Sequence, residues 1–192
     1  TAGLQEKFGA ERVIDTPLDE TSIAGLTVGM ATQGMRPVAE AQFDGFVYPM
    51  VDHIVCHAAR MRSRTRGRLS CPLVLRIPWG GIRAPEHHSE ANEAIFTNVP
   101  GLRVVMPSSP GRAYGLLLAA IRDPDPVVWF EPKRIYRQYK EEVADDGEAL
   151  PLDVCFVLRD GSDVTLVTWG AQVKETLEAA EALAKEGISA EV

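Results

Sequence analysis

The stretch "LVLRI", residues 73–77, decides the fold. Four of its five residues are apolar, and "LRVVM" at 102–106 reads the same way. A strand with one wet face alternates apolar and polar side chains, which neither run does, so both ask for burial on two faces. Further strand-like runs stand at "RVID" (12–15), "RPVAEAQ" (36–42) and "PVVWFEP" (126–132). Between the strands lie helix-like segments, "ETSIAGLTVGMATQG" (20–34), "PMVDHIVCHAARMRSR" (49–64), "SEANEAIFTNV" (89–99) and "PGRAYGLLLAAIRD" (110–123). Repeated strand–helix units with doubly buried strands predict an α/β fold, a parallel sheet with helices on both faces. Gly25 and Gly29 lie four apart on the first of these helices, a spacing that predicts close approach of another backbone.

A second unit follows a charged, turn-rich segment, "KEEVADDGEALPLD" (140–153). After it "DVTLVTWG", "AQVKETLEAAEALAKEG" and "ISAEV" spell strand, helix and strand, with Leu177, Ala180, Leu183 and Ala184 expected on one buried helix face. The expected division is 1–145 and 146–192, the second part being a linker and the first βαβ unit of a truncated domain. The chain opens "TAGLQEKFG" without an initiator methionine or a secretory signal and closes on a strand, so it reads as a piece of something longer. That terminal strand predicts cover from further sequence or a partner.

The 192 residues carry 20 Lys and Arg against 27 Asp and Glu, a net charge of −7, which speaks against a general nucleic-acid binder. The local "RMRSRTRGR" (60–68) reads as a solvated helix end. No apolar run reaches membrane-spanning length. Cys56, Cys71 and Cys155 lack metal-ligand spacing and fit core thiols in a reducing cytoplasm.

Dinucleotide (GxGxxG), phosphate-loop (GxxxxGK[ST]), nucleophile-elbow (GxSxG) and zinc (HExxH) strings are all absent. What remains for chemistry is acid at strand ends and the loop "PWGGIRAPEHHSE" (78–90), where open parallel sheets place their sites. In "DTPLDE" (15–20) either Asp19 or Thr21 can cap the following helix, with Glu20 at its positive end. Glu40 ends a strand just before Phe43 and Phe46, for which core packing is the default expectation. A metal site from Glu86, His87, His88 and Glu90 competes with a catalytic reading of the loop, but strand-like alternation would turn the two histidines apart.

Seven blocks in order, "DTPLDE", "GMRPVAEAQFDGFVYP", "RSRTRG", "PEHHSE", "PGLRVVMPSSP", "AIRDPDPVVWFEPKRIYR" and "DVTLVTWG", resemble the beta subunit of the thiamine-diphosphate-dependent decarboxylase component of 2-oxo acid dehydrogenase complexes. The resemblance implies a pyrimidine-binding transketolase-like domain followed by a transketolase C-terminal-like domain. It implies that Glu20 bonds a ring nitrogen of the cofactor aminopyrimidine and promotes proton removal from the thiazolium carbon. An apolar pocket would suit that task by keeping a proton available. By the same resemblance Phe46 packs on the pyrimidine with Gln42 nearby, and His88 faces the thiazolium side, where it orients substrate or exchanges a proton during acyl transfer. For Glu40 the resemblance implies a structural role as readily as a catalytic one. "PWGGIRAPE" is one residue shorter than many relatives in its Gly-rich run.

The family's structural potassium is matched by the carbonyls of Cys71, Leu73, Val74, Ala120, Asp123 and Asp125, although "RDPDP" also reads as a plain turn. The diphosphate and magnesium motif, GDG followed by Asn, is absent. The resemblance therefore implies half a site, completed with magnesium by an alpha subunit in an alpha2-beta2 assembly that docks on a lipoyl acyltransferase core. The implied activity is oxidative decarboxylation of a small 2-oxo acid, branched-chain or pyruvate, with acyl transfer to lipoamide, in the cytoplasm or, in a eukaryote, the mitochondrial matrix. Acetoin dehydrogenase, a transketolase-like ketol transferase and a non-catalytic packing subunit are the alternatives.

Overall fold

The computed structural model describes residues 2–192. In chain order the elements are α1 (Leu4–Phe8), α2 (Glu20–Thr32), β1 (Val38–Glu40), α3 (Met61–Arg64), β2 (Val74–Trp79), α4 (Glu93–Thr97), β3 (Arg103–Val105), α5 (Pro110–Arg122), β4 (Val127–Pro132), β5 (Val164–Thr165), α6 (Val173–Lys185) and β6 (Ala190–Glu191). Strands β1 to β4 form one parallel sheet in the order β1-β2-β4-β3, and β5 pairs in parallel with β6.

The central strands carry the two-faced burial that "LVLRI" demands. Leu75 and Ile77 of β2 join Val128 and Phe130 of β4 in one apolar layer with Val47, Met50, Ile54 and Phe96. Their neighbours Val74, Val127 and Trp129 point the other way, onto Leu116 and Ala120 of α5. Alternate residues of the same strands thus enter different layers, and on both strands only Arg76, Pro78 and Glu131 are less than fully buried. Each large side chain sealed this way contributes about 1.5–3 kcal/mol, so the β2–β4 pair anchors the molecule.

Local chemistry sets the helix starts. Asp19, not Thr21, caps α2, its carboxylate accepting from the Thr21 and Ser22 amides at 3.2 and 3.4 Å. Ser109 caps α5 with Pro110 in its first turn.

Several expectations are corrected. Residues 12–15 are not a strand: the Arg12 and Val13 amides donate to the Gly9 carbonyl, the Val13 carbonyl accepts from the Gln5 side chain at 2.8 Å, and Ile14 is exposed. Residues Asp52–Ala58 wind as a π-helix, and only Glu93–Thr97 of the 89–99 segment is helical. A Cβ on Gly25 would meet the His53 ring at 3.4 Å, whereas one on Gly29 would meet nothing within 4 Å, so only Gly25 serves packing, and against a side chain. On α6 Ala180 is buried and Leu177 and Leu183 pack beside it, but Ala184 is exposed. Cys71 is buried while Cys56 and Cys155 are exposed. The arginine run closes its own helix end: Arg60 and Arg64 donate to the carbonyls of Val55 and Cys56, and Arg62 pairs with Asp125 at 2.7 Å.

Candidate active site

The C-terminal ends of β1, β2 and β4 lie side by side and feed the segments that carry the candidate residues. Glu40 ends β1, and Arg76 on β2 reaches it at 2.9 Å and Glu131 on β4 at 2.6 Å. The Tyr136 hydroxyl donates to the second Glu131 oxygen at 2.8 Å. Burial works against the Arg76 charge, yet the two carboxylates hold its pKa above the ordinary value; burial and Glu131 push the Tyr136 phenol up as well. Glu40 is thereby a partner in a cross-strand charge network.

Beyond β1 the chain turns through Phe43 and the 3-10 turn Asp44–Phe46, and beyond β2 the Gly80–Asn92 loop carries a second 3-10 turn, Glu86–His88. The two turns lie against each other. Gly45 makes this possible, because a Cβ there would stand 2.6 Å from the His87 Cα and closer still to its carbonyl oxygen. Phe43 and Phe46 are half-buried and face the histidine loop instead of joining the core. The His88 ring stands edge-on to Phe43 at 4.4 Å and to Phe46 at 5.8 Å, while the His87 ring stacks on Phe46 at 5.8 Å and 17°. Strand-like alternation does not hold here, since a 3-10 turn brings both imidazoles to one aromatic ring. His88 is half-buried and His87 exposed.

Under this shelf lies a cluster that sequence reading missed. Asp44 is 0% exposed; its Oδ2 accepts from the Asn92 amide at 2.7 Å, and its Oδ1, also buried, has no hydrogen-bond partner. Burial pushes the Asp44 carboxyl up to about 6, with Glu93 and Glu90 adding to the effect. Lys133, 9% exposed, donates from Nζ to the His88 carbonyl at 2.5 Å and stands 4.8 Å from the Phe43 ring centre. Burial lowers its pKa and the Asp44 charge opposes that shift. At the rim the Tyr48 hydroxyl donates to Glu90, which also accepts from Asn92 at 3.0 Å; these bonds hold the Glu90 carboxyl below its ordinary value. The "DG" of "QFDGF" has the form of a turn, and the lysine of "EPK" has the form of a solvated strand end. The available signal was a charge at the C-terminal end of an apolar strand, the argument already applied to Glu40.

Glu20 opens α2 and is half-buried, not sealed in an apolar pocket. Helix α2 packs on the Tyr48–Met50 turn, which follows Phe46 closely in the chain, and Gln42 is exposed on the same segment. Among the described residues no group of three or more His, Cys, Asp or Glu side chains converges to hold a metal, and Glu86, His87, His88 and Glu90 do not gather. Three of the six carbonyls matched to potassium have other partners. Cys71 O accepts from Leu73 N, Leu73 O from Val127 N at 2.9 Å, and Asp123 O from the Arg36 guanidinium at 2.8 Å. Arg36 also bonds the Ile121 carbonyl, and the Asp123 carboxylate pairs with Arg103.

The fold and the shelf define a parallel-sheet α/β protein with its candidate site at the C-terminal strand ends. The family model "Transketolase, pyrimidine binding domain" matches residues 1–138, so the chain belongs to that family; the model "Transketolase, C-terminal domain" matches 154–192. The chain is 54% identical over 193 positions to the pyruvate dehydrogenase E1 component subunit beta of Acholeplasma laidlawii, covering 100% of this chain and 59% of the relative. It is 52% identical over the same extent to the 2-oxoisovalerate dehydrogenase subunit beta of Bacillus subtilis (strain 168), again spanning 59% of the relative's length. Among solved structures a "split gene transketolase, inactive beta4 tetramer" shares the fold, with a TM-score of 0.71 and 23% identity, covering 91% of this chain and 53% of that one.

Proposed function

We propose that the chain forms the aminopyrimidine half of the thiamine diphosphate site in a 2-oxo acid dehydrogenase. The whole enzyme would decarboxylate a branched-chain 2-oxo acid or pyruvate oxidatively and pass the acyl group to lipoamide. The observation that carries this reading is the shelf of Phe46 and two histidines at the C-terminal ends of the sheet, built by a chain about half identical to dehydrogenase beta subunits. The donor set suits the heterocycle: an aromatic face at Phe46, an amide at Gln42 and a carboxyl at Glu20 on the first turn of α2. Thiamine diphosphate, when bound, supplies a carbanion-stabilising thiazolium. This chain's own contribution is to seat the pyrimidine on Phe46, to hold or move a proton at a Glu20 oxygen, and to present the His88 imidazole to substrate or lipoyl group.

The half-exposed Glu20 and open shelf fit a site that a second subunit closes. Helix α2 has apolar residues all round; Ala24, Thr27 and Ala31 are buried, but Leu26 is 50% exposed and the Gly29 face is open. That face is assigned to an alpha subunit in an alpha2-beta2 assembly, with magnesium held in the alpha half and a lipoyl acyltransferase core as the further partner. The division 1–145 and 146–192 is retained as the domain reading, and the reducing cytoplasm or matrix as the compartment. Potassium fits poorly, because the Arg36 guanidinium already stands on the Asp123 carbonyl.

The deciding experiment is lipoamide-dependent turnover of pyruvate, 2-oxoisovalerate and acetoin by the full-length subunit assembled with its alpha partner. Glu20→Gln is expected to slow proton exchange at the thiazolium carbon about 10²- to 10⁴-fold with the assembly intact. Wild-type exchange in that variant removes Glu20 from its role. Turnover of acetoin in place of the 2-oxo acids replaces the substrate class.

A further inference from the structure

Lys133 and Asp44 are the two charged groups of the shelf that solvent hardly reaches, and each spends its hydrogen bond on the backbone of the histidine loop. Lys133 Nζ donates to the His88 carbonyl at 2.5 Å, at the end of the Glu86–His88 turn. Asp44 Oδ2 accepts from the Asn92 amide at 2.7 Å, and the Asp44 carbonyl accepts from the Asn92 side chain at 3.3 Å. The loop is thus gripped at residue 88 and again at residue 92, while the main chain at Gly45 backs against His87.

We propose that Lys133 and Asp44 are positioning residues that clamp the 88–92 segment from beneath and thereby set where the His88 ring stands over Phe43 and Phe46. This rests on the reading of His88 given above. Burying an ammonium and a carboxylate is costly unless each is fully paired. Here Oδ1 of Asp44 lacks a hydrogen-bond partner, and among the described residues the two charges form no ion pair within 4.0 Å. A pair kept only for stability would close that gap. Apart, the two groups reach separate points of the loop, each fixing one main-chain atom. The Phe43 ring ties the Lys133 end of the clamp to the imidazole, since it lies 4.8 Å under Nζ and 4.4 Å from the His88 ring.

The test uses Lys133→Met and Lys133→Arg in the full-length subunit assembled with its alpha partner. It reads amide hydrogen exchange of residues 86–92, and kcat and KM for acylation of a lipoyl domain. Lys133→Met is expected to raise exchange in 86–92 and to lower kcat about 10- to 100-fold, the scale of a small misplacement, with KM for the 2-oxo acid within about twofold. Lys133→Arg keeps a donor and should recover most of the loss. Raised exchange with unchanged kcat keeps the clamp and overturns the reading of His88. Lowered kcat with unchanged exchange overturns the clamp and leaves that reading intact. Should Lys133→Met fail to assemble, Asp44→Ala reads the other end: exchange at the Asn92 amide rises, and exchange at the wild-type rate there overturns the proposal.

Discussion

Arg76 and Lys133 are both cations of the same sheet, one midway along β2 and one just past the end of β4, yet they are satisfied on different terms. Arg76 spreads its guanidinium across three strands, with a carboxylate on either side and Tyr136 bonded to one of them. Lys133 and its neighbour Asp44 are more deeply buried, and each bonds a different point of a loop while one carboxylate oxygen goes without a partner. A satisfied network locks elements of the scaffold together; a half-satisfied one holds a particular segment in a particular place. The difference separates what keeps β1, β2 and β4 in register from what shapes the surface they present.

Breaking the first cluster should have the largest effect on stability. Arg76→Met leaves Glu40 and Glu131 facing each other without their cation and is expected to cost about 2–3 kcal/mol in denaturant unfolding. That is below the figure for a sealed pair, because Glu40 is half exposed. Adding Glu131→Gln should return part of the loss. If Arg76→Met alone proved neutral, the network would be decoration on a sheet held by its apolar layers.

The second region is attacked most directly at Gly45. Gly45→Ala pushes a methyl into the His87 main chain, and overpacking of that kind costs about 1–3 kcal/mol. Under the proposed function, lipoyl acylation by the assembled enzyme should fall with it, since the two 3-10 turns must separate. Full activity with wild-type stability would show that the loop yields at no cost and that the shelf is not rigid.

The first region was legible in the sequence and the second was not, for physical reasons. Burial on two faces follows from near-continuous apolar runs, so "LVLRI" announced the central β2, whereas "LRVVM" falls on the edge strand β3, where a missing neighbour leaves only Val105 buried. The family blocks pointed to Phe46, His88 and Glu20. Asp44, Gly45 and Lys133 gave no such signal. A buried acid looks like a turn residue until the chain that covers it is placed, and a lysine at a strand end looks solvated. The need for Gly45 comes from the close approach of a backbone 42 residues away, which no local pattern encodes. The error over 12–15 has the same root, because the apolar pair Val13-Ile14 states what a strand could bury and not whether a partner is there.

The unpaired oxygen can be weighed by pH. Asp44 has its carboxyl pushed up to about 6 by burial, against an ordinary value of 3.8, with Glu90, Glu93 and Lys133 as the charged neighbours. The folded state therefore holds the proton more tightly than the unfolded chain. The stability that gives is fully present below pH 3.8 and is lost as the pH rises through about 6. Asp44→Asn has no such loss. The stability of the variant minus that of the wild type should move in the variant's favour by about 2 kcal/mol between pH 4.5 and 7.5. Taking the difference cancels Asp19 and Glu175, whose lowered pKa values act in the opposite sense and which lie apart from Asp44. A flat difference would mean that Asp44 meets water or a hydrogen-bond donor.

Arg36 extends the comparison to a third cation, one that meets carbonyls only and lies in the open. Its guanidinium donates at 2.8 Å to Ile121 O and to Asp123 O, at the C-terminal end of α5, where unpaired carbonyls concentrate negative partial charge. A bound monovalent ion would satisfy the same carbonyls by the same physics, so arginine and potassium compete for one task. In the wild type, exchanging potassium for sodium should leave the melting temperature unchanged. Arg36→Met should lower it by about 1–2 °C, the scale of one exposed helix-end charge in a chain of this size. Only in that variant should potassium restore what was lost. A wild-type melting temperature that rises with potassium would show that the ion binds beside the guanidinium, with the Cys71 and Leu73 carbonyls sharing their second lone pairs.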